Sequence, residues 1–128
     1  MSLPEIPTDV ADFLAQHIDS VVRLEVLLLL AARAQTPLSA EEIARELRID
    51  QDWTQSALSA LAAAGILEGI EPGFRYAPRS PELDRTIRSL AKVYADRRVR
   101  VITLIFSRPT DPIRQFSEAF RFKKDQKG

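Results

Sequence analysis

Gln51, Thr54, Gln55 and Ser59 are the side chains of this sequence best suited to specific polar recognition. Their spacing puts them on one arc of a helix. Carboxamides and hydroxyls in such a row can donate to and accept from base edges, and glutamine can pair with adenine. Recognition also needs contacts to phosphate, for which Arg75 and Arg79, bracketing a short β-type segment, are the nearest bases. No Lys or Arg occurs between Arg48 and Arg75, and Asp52 stands within the row. A solvated polar face with no ligand is therefore the competing reading.

Other chemistry has little to work with. The chain has no cysteine and one histidine, His17, which excludes thiol catalysis, disulfides and thiolate or His-rich metal sites. It contains no G-x-G-x-x-G, P-loop, G-x-S-x-G or H-E-x-x-H pattern. Glu41 and Glu42 form a carboxylate pair, but a first helical turn explains both through the helix dipole. No enzymatic activity, cofactor or metal is expected. His17 reads as a partly buried structural histidine, with pH sensing as the alternative.

The elements that must hold the polar row are legible around it. Ser39 with Glu42 three residues on has the form of a capping box, followed by Ile43, Ala44 and Leu47 at helical spacing. Asp50 can cap a second helix whose Ala57, Leu58, Leu61 and Ala64 share a buried face. Gly65 falls where that helix should stop. Residues 66–70 and 74–77 flank Glu71-Pro72-Gly73, which predicts a strand, a turn and a strand.

This order, on the residues Glu42-Ile43-Ala44, Leu47, Ile49-Asp50, then Leu58, Leu61 and Gly65-Ile66-Leu67 with a hairpin after them, resembles the winged helix-turn-helix superfamily. The resemblance implies a mostly α fold with a small β-hairpin. It also implies a second helix, Asp50 to Ala64, lying in the DNA major groove, with the hairpin along the backbone. Leu38 would form the short first strand common in the superfamily. The general plan is similar to bacterial transcriptional regulators that dimerise through helices outside the winged core. Double-stranded DNA is thus one partner implied. Winged helices also serve as protein-docking modules, which keeps a protein partner as the alternative.

The remaining chain frames this unit. Residues 1–18 read as an extended lead-in and a helix capped by Thr8 or Asp9. Residues 19–79 read as the winged-helix domain, opening with a helix over 21–32 that is apolar on nearly every side and should be its central packing element. Residues 80–122 read as a C-terminal helical extension, and 123–128 as a tail. Ser80-Pro81-Glu82 is a helix start, and nothing up to Ser107 breaks the helix, which predicts one rod of about 27 residues and roughly 40 Å. Along it Leu83, Ile87, Leu90, Tyr94, Val101 and Leu104 form a 4-3-4 stripe, and Val99, Ile102, Ile105 and Phe106 add a second patch. This surplus predicts a homodimer through residues 83–107. Asp111-Pro112 starts a short helix with Ile113, Phe116 and Phe120 on one side, which must dock to be stable.

Trp53 either packs against the apolar helix, the first reading, or stays exposed as an anchor for a protein. The net charge is zero, yet residues 1–72 carry twelve acids against four bases, and residues 73–128 carry six acids against fourteen bases. Such an asymmetry fits neutralisation between the halves, or a polyanion meeting the second half first. Arg85, Arg88 and Lys92 share a face on the long helix, with Arg97, Arg98 and Arg100 beyond them. The start of the sequence lacks the layout of a signal peptide and no apolar run is long enough for a membrane span, so a cytoplasmic protein with no membrane partner is expected.

Overall fold

The structure is a computed structural model that describes residues 6–107. Six helices and one hairpin follow in the order α1 (Thr8–His17), α2 (Val21–Ala32), α3 (Ala40–Leu47), α4 (Gln51–Ala63), β1 (Leu67–Ile70), β2 (Gly73–Tyr76), α5 (Pro81–Asp96) and α6 (Arg98–Ser107). The segment 111–120, expected to be helical, lies outside the described residues, as do residues 1–5 and the tail.

Local signals set most boundaries. Ser20 accepts from the Arg23 amide and starts α2. Ser39 and Glu42 make both bonds of the capping box at α3. Asp50 accepts from the amides of Asp52 and Trp53 at α4, and Ser80 accepts from Leu83 at α5 with Pro81 behind it. Gly65 takes φ +81°, and the Ile66 amide reaches back to the Leu61 carbonyl, closing α4 in a left-handed turn. At α1 the expected side-chain cap is absent. Pro7 occupies the cap position, and Asp9 instead accepts from the amide of Val10.

The hairpin pairs Leu67 with Tyr76, Glu68 with Arg75, Gly69 with Phe74 and Ile70 with Gly73, antiparallel. Leu38 adds the expected third, one-residue strand: its amide and carbonyl both bond to Phe74, each at 2.8 Å. The ribbon is thereby tied to the segment that enters α3.

Helix α2 is the centre of the core. Leu24, Val26, Leu27 and Leu30 are buried, and α3, α4, β2 and α5 all pack on the helix. The same core runs on through Val10, Phe13, Leu14 and Ile18 of the N-terminal segment to Ile87, Leu90 and Tyr94 of α5.

Two expectations need correction. The long rod is two helices, broken at Arg97 (φ −137°, ψ 54°). A straight helix would carry its second half away from the domain, whereas the break turns Val101 and Ile105 into the core, where both are buried. Burial of that apolar surface offsets the bonds lost at one residue. Correspondingly, the residues expected to join two copies are internal. Ile87, Leu90, Tyr94, Val101 and Ile105 are all buried within the chain, and Leu83 is partly buried against the same core. The stripe packs the parent domain, while Val99 and Phe106 of the second patch stay exposed. Among the described residues, no helix is long and apolar enough to cross a membrane.

Candidate functional site

Helix α4 presents one side and buries the other. Thr54, Ala57, Leu58 and Leu61 face the core, on α2 and α3. Gln51, Gln55 and Ser59 lie on the exposed side at intervals of one turn, with Asp52 and Ser56 flanking them. The Gln55 carboxamide donates to the Ser59 hydroxyl at 3.4 Å, a long bond that a ligand can readily replace.

Thr54 does not belong to that row. It is fully buried, and its hydroxyl donates to the Asp50 carbonyl at 2.9 Å. Extending the apolar stripe back three residues from Ala57 lands on Thr54, so the signal for its burial was present in the spacing. The same carbonyl also accepts from the Thr54 amide, so the hydroxyl bond is supplementary. Thr54→Val is therefore expected to change stability by no more than about 1 kcal/mol. Urea denaturation checks this; a larger loss would mean that the hydroxyl bond is not supplementary.

Trp53 corrects the first reading of that residue. It is 63% exposed rather than packed away. The indole edges a cleft of about 390 Å³ shared with Asp19, Ser20, Val22 and Arg23 at the start of α2, and with Ser56 and Ala57 of α4. Arg23 closes its floor, held by the His17 carbonyl at 3.0 Å and by Asp19 at 3.5 Å.

The expected phosphate anchors are both exposed to some degree and both engaged. Arg75 pairs with Glu68, its cross-strand neighbour, at 2.7 Å. An ion pair this exposed contributes little, so the guanidinium can exchange one anion for another. Arg79 donates to the Ala64 carbonyl and lies over Gly65, so it also caps the C-terminus of α4, where a cation complements the dipole. Arg33 pairs with Glu46 and ties α2 to α3.

Arg48 was missed by the sequence reading. It is exposed in the turn between α3 and α4, in the left-handed conformation (φ 59°, ψ 50°) that L-residues adopt at a cost. Glycine would serve the turn better, so the fold alone gives no reason for an arginine. The available signal was its place as the last base before α4.

A second missed cluster joins three helices. Tyr94 donates to Glu25 at 2.6 Å, and Arg98 sits 3.3 Å from the same carboxylate and 4.8 Å over the Tyr94 ring. Burial, reinforced by the Glu25 bond, pushes the Tyr94 phenol up to about 12, so it remains a donor at any ordinary pH. Glu25 was visible as the lone acid of an apolar helix. Its partners, 69 and 73 positions away, were not. The His17 ring lies 5.0 Å from that of Phe13, tilted by 50°, and partial burial, with Arg79 and Arg23 nearby, holds its pKa below the usual 6.5. That environment suits a neutral structural imidazole. No cluster of three or more potential metal ligands occurs among the described residues.

Comparison with known proteins gives one informative match. No protein-family model matches the chain, and no curated protein does. Among solved structures the chain is similar to a MarR family protein of Mycobacterium tuberculosis, with 21% identity and a TM-score of 0.52, over 88% of this chain and 79% of that one. At that identity the likeness concerns fold. With the order of α2, α3, α4 and the hairpin, it establishes a winged helix-turn-helix with a helical extension.

Proposed function

We propose that this chain is a non-catalytic, winged-helix transcriptional regulator. In this reading α4 enters the major groove of double-stranded DNA and the β1–β2 ribbon follows the backbone. One observation carries it: Gln51, Gln55 and Ser59 form an exposed row on a helix whose reverse side is fixed in the core. Rigid presentation of amides and a hydroxyl is what reading base edges requires. Arg48 at one end of α4 and Arg75 on the ribbon supply the phosphate contacts, and the left-handed strain at Arg48 is the fold's concession to them.

So few bases predict weak, salt-sensitive binding, each phosphate contact contributing about −0.9 to the log–log salt slope. Arg48→Gly separates binding from folding. It is expected to weaken DNA affinity for all sequences and flatten the slope by about 1. Stability should hold or rise by about 1 kcal/mol as the left-handed strain is relieved. Fluorescence anisotropy of labelled duplex across a salt series, with denaturation of the same variant, reads both. An absence of binding at low salt contradicts the reading. So does binding that is unmoved when Arg48→Gly is combined with Arg75→Ala.

A second reading is favoured by Trp53. An exposed indole beside a cleft, next to Asp52 and with no base on the helix, is the kind of anchor that holds a protein. Under it, Trp53→Ala abolishes capture of a defined protein partner while DNA affinity is nil throughout.

A further inference from the structure

Trp53 is the sole tryptophan of the chain, and the fold makes no evident use of its ring. The indole is not part of the core, and Asp50 caps α4 without it. It stands instead on the cleft of about 390 Å³ between the start of α2 and α4. That volume lies near the lower end for small-ligand pockets, which favours a compact occupant.

The rest of the lining says what charge such an occupant carries. Val22 and Ala57 are apolar, and Asp19 adds a carboxylate whose side chain is mostly exposed. Arg23, the base of the lining, is already engaged. Its guanidinium donates to the His17 carbonyl at 3.0 Å and lies 3.5 Å from Asp19, and its Nε is buried. An anion would therefore compete with Asp19 for that guanidinium, whereas a cation finds the carboxylate open to it. On α4 the charged residues within one turn of Trp53 are Asp50 and Asp52, both exposed, and neither is a base. A bare metal ion is poorly served, because no cluster of three potential ligands occurs among the described residues. An indole, by contrast, is the best side-chain ring for attracting a cation within about 6 Å of its centre.

We propose that this cleft binds a small organic cation, an ammonium carrying an aryl or alkyl body. The charge is shared by the Trp53 ring and the Asp19 carboxylate, and the body covers Val22 and Ala57. This site rests on neither reading of α4, since neither DNA nor a protein partner takes part in it.

A single tryptophan makes the test direct, because intrinsic fluorescence then reports the cleft alone. The full chain is titrated with benzyltrimethylammonium at constant ionic strength, and in parallel with benzoate and with benzyl alcohol. The cation is expected to give a saturable change with a Kd of about 1 mM or tighter, a modest affinity for so few heavy atoms. The other two probes should bind at least fivefold more weakly. Asp19→Asn is expected to weaken the cation by about fivefold or more, and Ser56→Arg, a base on the exposed rim, to remove saturation. Circular dichroism of both variants confirms the fold, and amide shifts at Asp19, Val22, Ser56 and Ala57 place the probe. A merely linear quench, equal binding of benzoate or benzyl alcohol, or amide shifts elsewhere would each overturn the proposal. So would an Asp19→Asn chain that is folded and binds the cation as before. No nucleic acid enters these titrations, so their failure leaves the DNA reading untouched.

Discussion

Replacing Gly73 with alanine is expected to destabilise the fold by about 3 kcal/mol, whereas the same change at Gly69 stays within about 1 kcal/mol. Both glycines lie in the hairpin and look alike in the sequence. A Cβ on Gly73 would stand 2.7 Å from the Ser39 amide nitrogen and closer still to the Leu38 carbonyl, all backbone atoms that cannot rotate away. Relief would require parting Leu38 from Phe74, with loss of two 2.8 Å hydrogen bonds worth about 1 kcal/mol each, on top of the strain. A Cβ on Gly69 would meet nothing within 4 Å, so its alanine gains only a stiffer unfolded chain. Urea denaturation of the two variants compares them directly. Equal midpoints would mean that the ribbon is not held against the entry to α3.

Leu58→Ala is expected to cost about 3 kcal/mol, and Gln55→Ala less than about 0.5 kcal/mol. The two residues are three apart on one helix and have opposite surroundings. Leu58 is fully buried where α4 meets α2 and α3, so truncation removes contacts and leaves a cavity in a close-packed region. Gln55 faces solvent, with one long bond to Ser59. The midpoint should move for Leu58→Ala while the denaturant slope holds, because the surface exposed on unfolding is nearly the same. Comparable losses for both variants would mean that α4 is covered on its outer side as well.

The parts of this fold that can be read in the sequence are those set by neighbours in the chain. Ser39 with Glu42, Asp50, Gly65 and Ser80-Pro81 each act within one helical turn, so residue type and spacing suffice to place them. Leu38 was found through the resemblance, because one residue carries no strand pattern. The break at Arg97 has no local cause: neither proline nor glycine stands there, and what bends the chain is the pull of Val101 and Ile105 towards a core built by α2. Leu83, Ile87, Leu90, Tyr94 and Val101 pack within the chain for the same reason, since apolar spacing shows that a face is buried but not against what. At the site, Gln51, Gln55 and Ser59 were placed on the outer arc from periodicity. Thr54 was misjudged because its polarity was weighed above its phase. Trp53 sits one residue before Thr54, at the edge of the stripe, where phase alone does not decide burial.

The same distinction applies to charge. The acid-rich first half and base-rich second half are joined by the ion pair of Glu25 with Arg98 at 3.3 Å. Part of the asymmetry is thus consumed between elements. Arg85, Arg88 and Lys92 remain exposed on α5, with Arg88 paired to Asp84 at 2.8 Å.

The most direct test of the account is an amide chemical-shift titration of the full chain with duplex DNA at low salt. Shifts concentrated at Gln51, Gln55, Ser59, Arg48 and the 68–75 ribbon are the predicted result. Shifts confined to α5, or none anywhere on α4, would contradict it.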